Sequence, residues 1–187
     1  MKKNIARIIV DKNVFTEKEK RHVKQVILEN DFPWFWNDSS LIGDGVTYFS
    51  HQIILRPEQR KEDPENVFNN KAFYHSGLGE AVCKLATRFI KKHKLPFKEF
   101  LRASLNLTIP LREHPQCTAH TDHDFPHHQI IFYLNTTDGD TVLLKNDKEY
   151  RRFSPEAFKA VSFGGQYKHY VIHPTQGRRV ILVITFH

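Results

Sequence analysis

The chain has 187 residues, 40% of them hydrophobic and 12% aromatic, so it can form one substantial core and is expected to be a single domain spanning residues 1–187. It has no apolar run of the roughly 20 residues that cross a membrane, no secretory signal after Met1, and two cysteines, Cys83 and Cys117, which are too few for a disulfide framework; these features favour a cytoplasmic protein without a membrane partner. The net charge of +7 permits nucleic-acid binding but comes with no nucleic-acid-binding motif, so a nucleic-acid partner is not favoured.

Two amphipathic helices are predicted in the first hundred residues. Thr16 and Glu19 have the spacing of a capping box, which satisfies the first free amides of a helix. The helical repeat then predicts the buried positions. They are Val23, Val26 and Ile27 in the first helix, and Leu78, Val82, Leu85, Ala86, Phe89 and Ile90 in the second.

Two loops and a strand separate these helices. Trp34 and Trp36 lie in a loop rich in aromatic and turn-forming residues, and core packing is favoured over a role in a substrate cleft. Val46–Leu55 has the pattern of a strand or hairpin arm. Arg56–Asn70 is polar and holds two prolines, so it is the best candidate for a lid over a site, or for an exposed loop.

The hydrophobic pattern changes to a period of two at Leu101. Apolar and polar residues alternate as far as Ile109, so this strand has a polar face that includes Asn106. Such a face can be exposed to solvent or can line a ligand cavity. The cavity is favoured because the next predicted strand begins near His120 and Asp122, whose side chains could bind a cation. Asn106 is then a candidate donor to a substrate or co-substrate.

The second half of the chain predicts a β-sandwich or jelly roll. Further strands are expected at Gln129–Asn135, Thr141–Leu144, Ala160–Phe163 and Arg179–Phe186, with Asn, Asp, Gly and Pro turns between them. The fold class is therefore mainly β with flanking helices. We expect residues 1–100 to supply the helices and the loops on the substrate side. Residues 101–187 are expected to form the core, which also contains the candidate metal ligands described next.

The most specific motif is His120-Thr121-Asp122, with His169 farther along the chain. Residues i and i+2 of a strand point to one face, so His120 and Asp122 can hold one cation together. Two histidines and one carboxylate form the facial triad of non-haem Fe(II) oxygenases, which leaves coordination positions open.

Arg179 begins an apolar strand and needs an anionic partner if it is buried. Its planar fork suits a carboxylate taken with two hydrogen bonds, as a dicarboxylic co-substrate would offer. The alternatives are that Arg179 is a solvated edge residue or that the neighbouring Arg178 has this role.

The segments His120–Thr141, Phe163–His169 and Arg179–Phe186 resemble the 2-oxoglutarate and Fe(II)-dependent oxygenases, in particular their prolyl-4-hydroxylase-like branch. The resemblance covers about residues 101–186 and implies a double-stranded β-helix core. One departure is that Phe163-Gly164-Gly165 stands where close relatives commonly have Phe-Asp-Gly.

Carried over residue by residue, the resemblance assigns roles to five side chains. His120, Asp122 and His169 would ligate Fe(II), Arg179 would bind the far carboxylate of 2-oxoglutarate, and Tyr133 would contact the same co-substrate. The implied enzyme is a 2-oxoglutarate-dependent dioxygenase that uses dioxygen to hydroxylate an unidentified substrate. A prolyl or other peptide residue and a small molecule are both candidate substrates.

Other histidines compete for these roles. His173 is the alternative distal ligand, but its separation from Arg179 is shorter than the family's usual spacing, so His169 is favoured. The residues His123, Asp124, His127 and His128 are interpreted as neighbours of the metal ligands or residues at the substrate mouth.

Two other classes of function are compatible with the motif. A cupin-like metalloenzyme would use the same ligands without 2-oxoglutarate, and Arg179 would then have no clear role. A non-catalytic module would keep the metal as a structural element. Production of succinate from 2-oxoglutarate distinguishes the oxygenase from both.

Overall fold

The computed structural model of the chain describes residues 7–41, 44–60, 74–112 and 116–187. Within these ranges the chain forms ten strands and two α-helices. The strands are β1 (Ile9–Asp11), β2 (Phe35–Asn37), β3 (Tyr48–Ile54), β4 (Phe100–Thr108), β5 (His128–Tyr133), β6 (Thr141–Lys145), β7 (Lys148–Phe153), β8 (Ala160–Gly164), β9 (His169–Val171) and β10 (Arg179–Phe186), and the helices are α1 (Glu17–His22) and α2 (Gly79–His93).

The strands form two antiparallel sheets. The major sheet has the order β1-β8-β5-β10-β4-β3-β2, and the minor sheet has the order β7-β6-β9. β10 is buried at every position, and apolar except at Arg179 and Thr185, because it lies between β5 and β4 in the middle of the major sheet. The expected mainly β jelly roll with flanking helices is confirmed.

The two faces of the major sheet have different neighbours. One face carries Leu105, Phe132 and Leu182 and belongs to a large apolar core that also holds the buried side of α2. The other face carries Ile131, Tyr133 and Ile181 and forms a smaller cluster with the minor sheet. The alternation predicted for β4 therefore separates a face that packs under helix α2 from a face that points towards the minor sheet.

Helix α1 begins as predicted. The Thr16 hydroxyl accepts a hydrogen bond from the Glu19 amide (3.3 Å), and the Glu19 carboxylate accepts one from the Thr16 amide (2.7 Å). The helix then widens into a π-helical turn at Val23–Ile27. This wider turn changes the helical repeat, so Val23 and Ile27 are buried while Val26 is exposed, and the prediction that Val26 is buried was wrong.

Helix α2 follows its predicted pattern, with Val82, Leu85, Ala86, Phe89 and Ile90 buried. It ends at Lys94, whose left-handed backbone lets its amide donate to the carbonyl oxygens of the last turn. Within the described ranges, neither helix has the length and apolar character needed to cross a membrane.

The predicted aromatic loop forms the edge strand β2. Trp34 packs partly against the large core, as expected. Trp36 is 54% exposed, so its predicted burial was wrong. β2 is the outermost strand of the sheet, and the rings of Phe35 and Trp36 both remain largely uncovered there.

The predicted lid Arg56–Asn70 lies partly outside the described residues, since residues 61–70 are not among them. Its first part forms a 3-10 turn, Pro57–Arg60. Arg60 donates to the carbonyl oxygens of Leu55, Phe100 and Leu101. The start of this segment is thus attached to β4.

Candidate active site

A cavity of about 610 Å³ lies between the two sheets. Its wall includes the polar face of β4, with Arg102, Asn106 and Thr108, so the prediction that this face lines a cavity is supported by the geometry. The wall also includes His120, Asp122, Gln129, His169, His173 and Arg179 from other elements.

His120 and His169 are paired through the backbone. The amide of each donates to the carbonyl oxygen of the other, at 3.0 and 2.8 Å. Opposite residues of such an antiparallel pair point to the same face, which places the two imidazole rings with centroids 4.7 Å apart. The distant parts of the predicted ligand set are therefore brought together at the edge of the minor sheet.

The ring of His120 is oriented by its own loop. Its Nδ1 lies 2.8 Å from the Thr118 carbonyl oxygen, which is an acceptor, so in the neutral ring Nδ1 carries the proton and Nε2 has the free lone pair. This is the arrangement in which metal-binding histidines are usually held. Burial lowers the pKa of His120, but hydrogen bonds with Cys117 and Thr118 and the charge of Asp122 raise it overall.

Asp122 is buried beside these rings. Its Oδ1 accepts from Nη1 of Arg102 (2.8 Å), and its Oδ2 lies 3.6 Å from Nε2 of His169. Oδ2 has no hydrogen-bond partner among the described residues. Burial raises the pKa of this carboxyl, but the charges of Arg102 and Arg56 hold it well below its usual value, so Asp122 is an anion.

His169 is kept neutral by its surroundings. Burial lowers its pKa to about 4, against the opposing effect of the Asp122 charge. A neutral imidazole is the form that binds a metal, and Nε2 of His169 faces the Asp122 carboxylate and the Gln129 amide (3.4 Å).

The donor set fits a divalent transition metal. Two imidazoles and a carboxylate with an unpaired buried oxygen are the ligands expected of a facial triad. In the described part of the chain, no group of three or more His, Cys, Asp or Glu side chains is arranged closely enough to hold a metal ion as it stands. The fit therefore rests on the chemistry and closeness of the donors.

The rival ligand His173 lies elsewhere in the cavity. Its Nδ1 is 2.8 Å from the carbonyl oxygen of Ile109, and burial lowers its pKa. The charge of Arg179 acts on it as well. Its backbone does not pair with His120, in contrast to that of His169.

Arg179 is 1% exposed and faces the same cavity. Its Nε donates to the Gly139 carbonyl oxygen and its Nη2 to the Thr141 hydroxyl, both at 2.7 Å. A side chain at position 139 would collide with Arg179, so the segment between β5 and β6 needs glycine there. Both bonded partners are neutral, so among the described residues this buried guanidinium forms no ion pair with a carboxylate, and Asp140 acts on it only through space.

Arg178 points to a different part of the molecule, where it donates to the Leu28 carbonyl oxygen. It does not line the cavity. The geometry therefore favours Arg179 over Arg178 for binding an anion there.

Tyr133 lies behind Arg179 and is fully buried. Its hydroxyl donates to Thr141 (2.8 Å), and the Arg179 guanidinium lies 5.6 Å from the centre of its ring. Tyr133 is not among the residues of the cavity wall. Through these two contacts it holds the side chains of Arg179 and Thr141 in place. Asn106 does line the cavity. Its side-chain oxygen accepts a hydrogen bond from the Ser104 hydroxyl (2.8 Å), which fixes the orientation of the amide group.

The neighbouring histidines do not line the cavity. His123 and His128 are buried near β10, the first against the Thr185 hydroxyl (2.8 Å) and the second stacked on Phe186. His127 is buried against Gly165, while Asp124 is exposed. The segment after Phe125 turns into β5 and takes His127 and His128 away from this cavity wall, which does not support the mouth interpretation. Their interpretation as neighbours of the metal ligands stays a prediction.

Sequence analysis missed two contributors, Arg56 and Arg102. Arg56 follows β3, and its guanidinium hydrogen-bonds to Asp122, which is 66 residues away in the sequence. Arg102 belongs to the polar face of β4 that sequence analysis identified, so the alternation there was a signal for it. No pattern in the sequence indicated that Arg56 contacts Asp122.

Comparison with solved structures agrees with this geometry. An oxidoreductase of the 2OG-Fe(II) oxygenase family from Burkholderia pseudomallei matches with a TM-score of 0.70 at 14% identity, over 96% of this chain and 84% of that one. A Pseudomonas putida prolyl-4-hydroxylase matches with a TM-score of 0.59 at 14% identity, over 96% and 92% of the two chains. A Trichoplax adhaerens prolyl hydroxylase, solved with a hypoxia inducible factor oxygen degradation domain peptide fragment, matches with a TM-score of 0.60 at 14% identity, over 96% and 83%.

No protein-family model matches the sequence, and neither does any curated protein. The relationship is therefore visible in the fold. The chain has the jelly-roll fold of the 2-oxoglutarate and Fe(II)-dependent oxygenases and prolyl-4-hydroxylases, and the resemblance expected from the sequence is confirmed at this level.

Proposed function

We propose that this protein is a non-haem Fe(II) and 2-oxoglutarate-dependent dioxygenase that hydroxylates its substrate. The observation that carries the proposal is that one cavity holds both the His120, Asp122 and His169 donors and the buried cation Arg179. The structural neighbours named as 2OG-Fe(II) oxygenases and prolyl hydroxylases support it.

His120, Asp122 and His169 would hold the metal. His120 offers Nε2 because its Nδ1 bonds to a backbone carbonyl, and Asp122 offers Oδ2 because Arg102 takes its other oxygen. Burial keeps His169 neutral. Bound Fe(II) would supply the activation of dioxygen that oxidises a substrate C–H bond.

Arg179 would bind the far carboxylate of 2-oxoglutarate. Its guanidinium is fixed by Gly139, Thr141 and the Tyr133 ring, so little side-chain entropy is lost when a carboxylate binds. Asn106 lines the cavity and is a candidate donor to the co-substrate. Tyr133 has an indirect role in this proposal, through Thr141 and Arg179.

A prolyl or other peptide residue is a candidate target. This part of the proposal is supported by the peptide complex of the Trichoplax prolyl hydroxylase, which has the same fold. A cupin-like enzyme without 2-oxoglutarate would leave the charge of Arg179 without a role in the cavity, so the oxygenase is favoured.

The test is conversion of 2-oxoglutarate to succinate by the purified protein. We expect slow succinate formation that needs both Fe(II) and dioxygen and is lost in His169→Ala and in Arg179→Ala, while Arg178→Ala retains it if folded. Succinate formation equal in wild type and His169→Ala would contradict the proposal.

A further inference from the structure

Two arginines converge on Asp122 from different parts of the chain. Arg102, on β4, donates from Nη1 to Oδ1 of Asp122 at 2.8 Å. Arg56, after β3, donates to the Asp122 carbonyl oxygen and lies 3.4 Å from the same Oδ1. Their side chains are 15% and 27% exposed, so both cations are largely removed from water.

One carboxylate oxygen is therefore shared between two positive charges. Burial lowers the pKa of Arg56, and the charge of Arg102 lowers it further. Among the residues in the described wall of the cavity, Asp122 is the sole carboxylate. Glu58 acts on Arg56 through space, but it is exposed and forms no ion pair with it in the described structure. Counting only the part of the chain that the structure describes, the pair therefore has about one positive charge in excess.

This pair is separate from the cation proposed to bind 2-oxoglutarate. Arg179 is opposite Thr108 in the sheet, whereas Arg102 is opposite Thr185. Thr108 and Arg102 are six positions apart along β4, which places these two levels of the sheet roughly 20 Å apart. The metal-ligand set lies beside Arg102, so a group bound by the arginine pair would be next to the reacting centre.

The excess charge defines the ligand chemistry. A carboxylate has one negative charge, and its two oxygens match the fork of a guanidinium. A phosphate group carries about 1.5 to 2 negative charges at neutral pH, more than the excess. Tyr48 and Gln59 also line this part of the wall and are neutral hydrogen-bonding side chains.

We propose that Arg56, together with Arg102, forms a second anion site that binds a carboxylate of the substrate beside the metal ligands. The inference rests on the proposed function and narrows it, because the substrate is then an acidic molecule or an acidic peptide. Arg56 determines specificity in this site. Arg102 also positions Asp122.

The test uses acetate as the probe and acetamide as its neutral isostere, with binding followed by ligand-observed NMR. Titrations are made on the protein alone and on protein saturated with Zn(II) and 2-oxoglutarate, which occupies the Arg179 side of the cavity. We expect acetate to bind at least about tenfold more tightly than acetamide in both states. Arg56→Gln should remove most of this preference.

The matched control is Arg151→Gln, the same change at an exposed arginine on β7, which should keep the acetate affinity within about twofold. Thermal melting checks that each variant is folded. If Arg56→Gln does not fold, Arg56→Lys replaces it, with a smaller loss expected because the charge remains and the fork does not. The comparison of acetate with acetamide in the wild type needs no variant.

Several results would overturn the inference. They are equal binding of acetate and acetamide, acetate affinity that depends on Arg179 and not on Arg56, or tighter binding of inorganic sulfate than of acetate. Failure to bind 2-oxoglutarate in the presence of metal would instead contradict the proposed function, and the titration of the protein alone would still decide the role of Arg56.

Discussion

The backbone amide of Gly165 donates a 2.8 Å hydrogen bond to the carbonyl oxygen of His127, and the imidazole of His127 fills the space where a side chain at position 165 would begin. This contact joins the loop before His169 to the start of β5. The second glycine of Phe163-Gly164-Gly165 is therefore required by packing, and it holds the loop that leads to a proposed metal ligand.

Gly165→Ala should destabilise the fold, because its Cβ would collide with the His127 ring and one of the two must move. Overpacking of this kind costs about 1–3 kcal/mol in unfolding free energy. The matched control is Gly77→Ala, where an added Cβ meets no atom within 4 Å. Urea denaturation measures the stability of both variants. Equal midpoints would show that the loop at Gly165 accommodates the added Cβ with no loss of unfolding free energy.

Removal of a proposed metal ligand should abolish metal binding. His120→Ala, Asp122→Asn and His169→Ala are expected to weaken Mn(II) binding by more than about 100-fold, since loss of outer partners alone costs roughly 10–100-fold. Asparagine is used at position 122 to preserve the shape between Arg56 and Arg102. Calorimetry measures the affinity.

His173→Ala is the control for the distal ligand. His173 is buried and bonded to the Ile109 carbonyl oxygen, so its loss perturbs the cavity without removing a proposed ligand. Its effect on Mn(II) affinity should be less than about tenfold. A large loss with His173→Ala and retention with His169→Ala would reverse the assignment.

Arg179 should determine the affinity for 2-oxoglutarate. Arg179→Ala is expected to weaken binding by about 2–5 kcal/mol under anaerobic conditions with Mn(II), as for other buried charge pairs. Arg179→Lys should recover part of this, because an ammonium lacks the planar fork. An unchanged dissociation constant in Arg179→Ala, with a large loss in Arg178→Ala, would transfer the role to Arg178.

Asp11 should make the stability depend on acid pH. It is buried and pairs with Lys92 and His93, each at 2.7 Å. Burial raises its pKa, but these partners and the Asn13 amide lower it overall. A lowered folded-state pKa means that the stabilisation is present above the unfolded value of about 3.9 and is lost as the pH falls below it.

Asp11→Asn should therefore flatten the acid side of the stability profile. Thermal melting between about pH 6 and pH 2 measures it, with the exposed Asp147→Asn as the matched control. The same acid slope in wild type and Asp11→Asn would show that Asp11 does not contribute.

The elements that sequence analysis predicted well are those whose burial pattern is repetitive. The alternation in β4, the apolar run of β10 and the capping box at Thr16 each reflect one local rule, so they could be identified without tertiary information. β7 was missed because Lys148–Phe153 is an exposed edge strand, and polar residues on both faces give no alternation.

The candidate site was predicted as far as its residues follow a motif. The motif indicated His120, Asp122 and His169, but their closeness depends on the backbone pair between His120 and His169, which is a long-range contact. The approach of Arg56 to Asp122 depends on how β3 and the motif loop meet in three dimensions. Charge and spacing along the chain carry no information about such a contact.

The central claim is that one cavity binds both the metal and 2-oxoglutarate. The most direct measurement is anaerobic calorimetric titration of 2-oxoglutarate into the protein with and without saturating Mn(II). The account predicts that Mn(II) tightens 2-oxoglutarate binding at least about tenfold and that His169→Ala removes this effect. An affinity for 2-oxoglutarate that is the same with and without Mn(II) would contradict it.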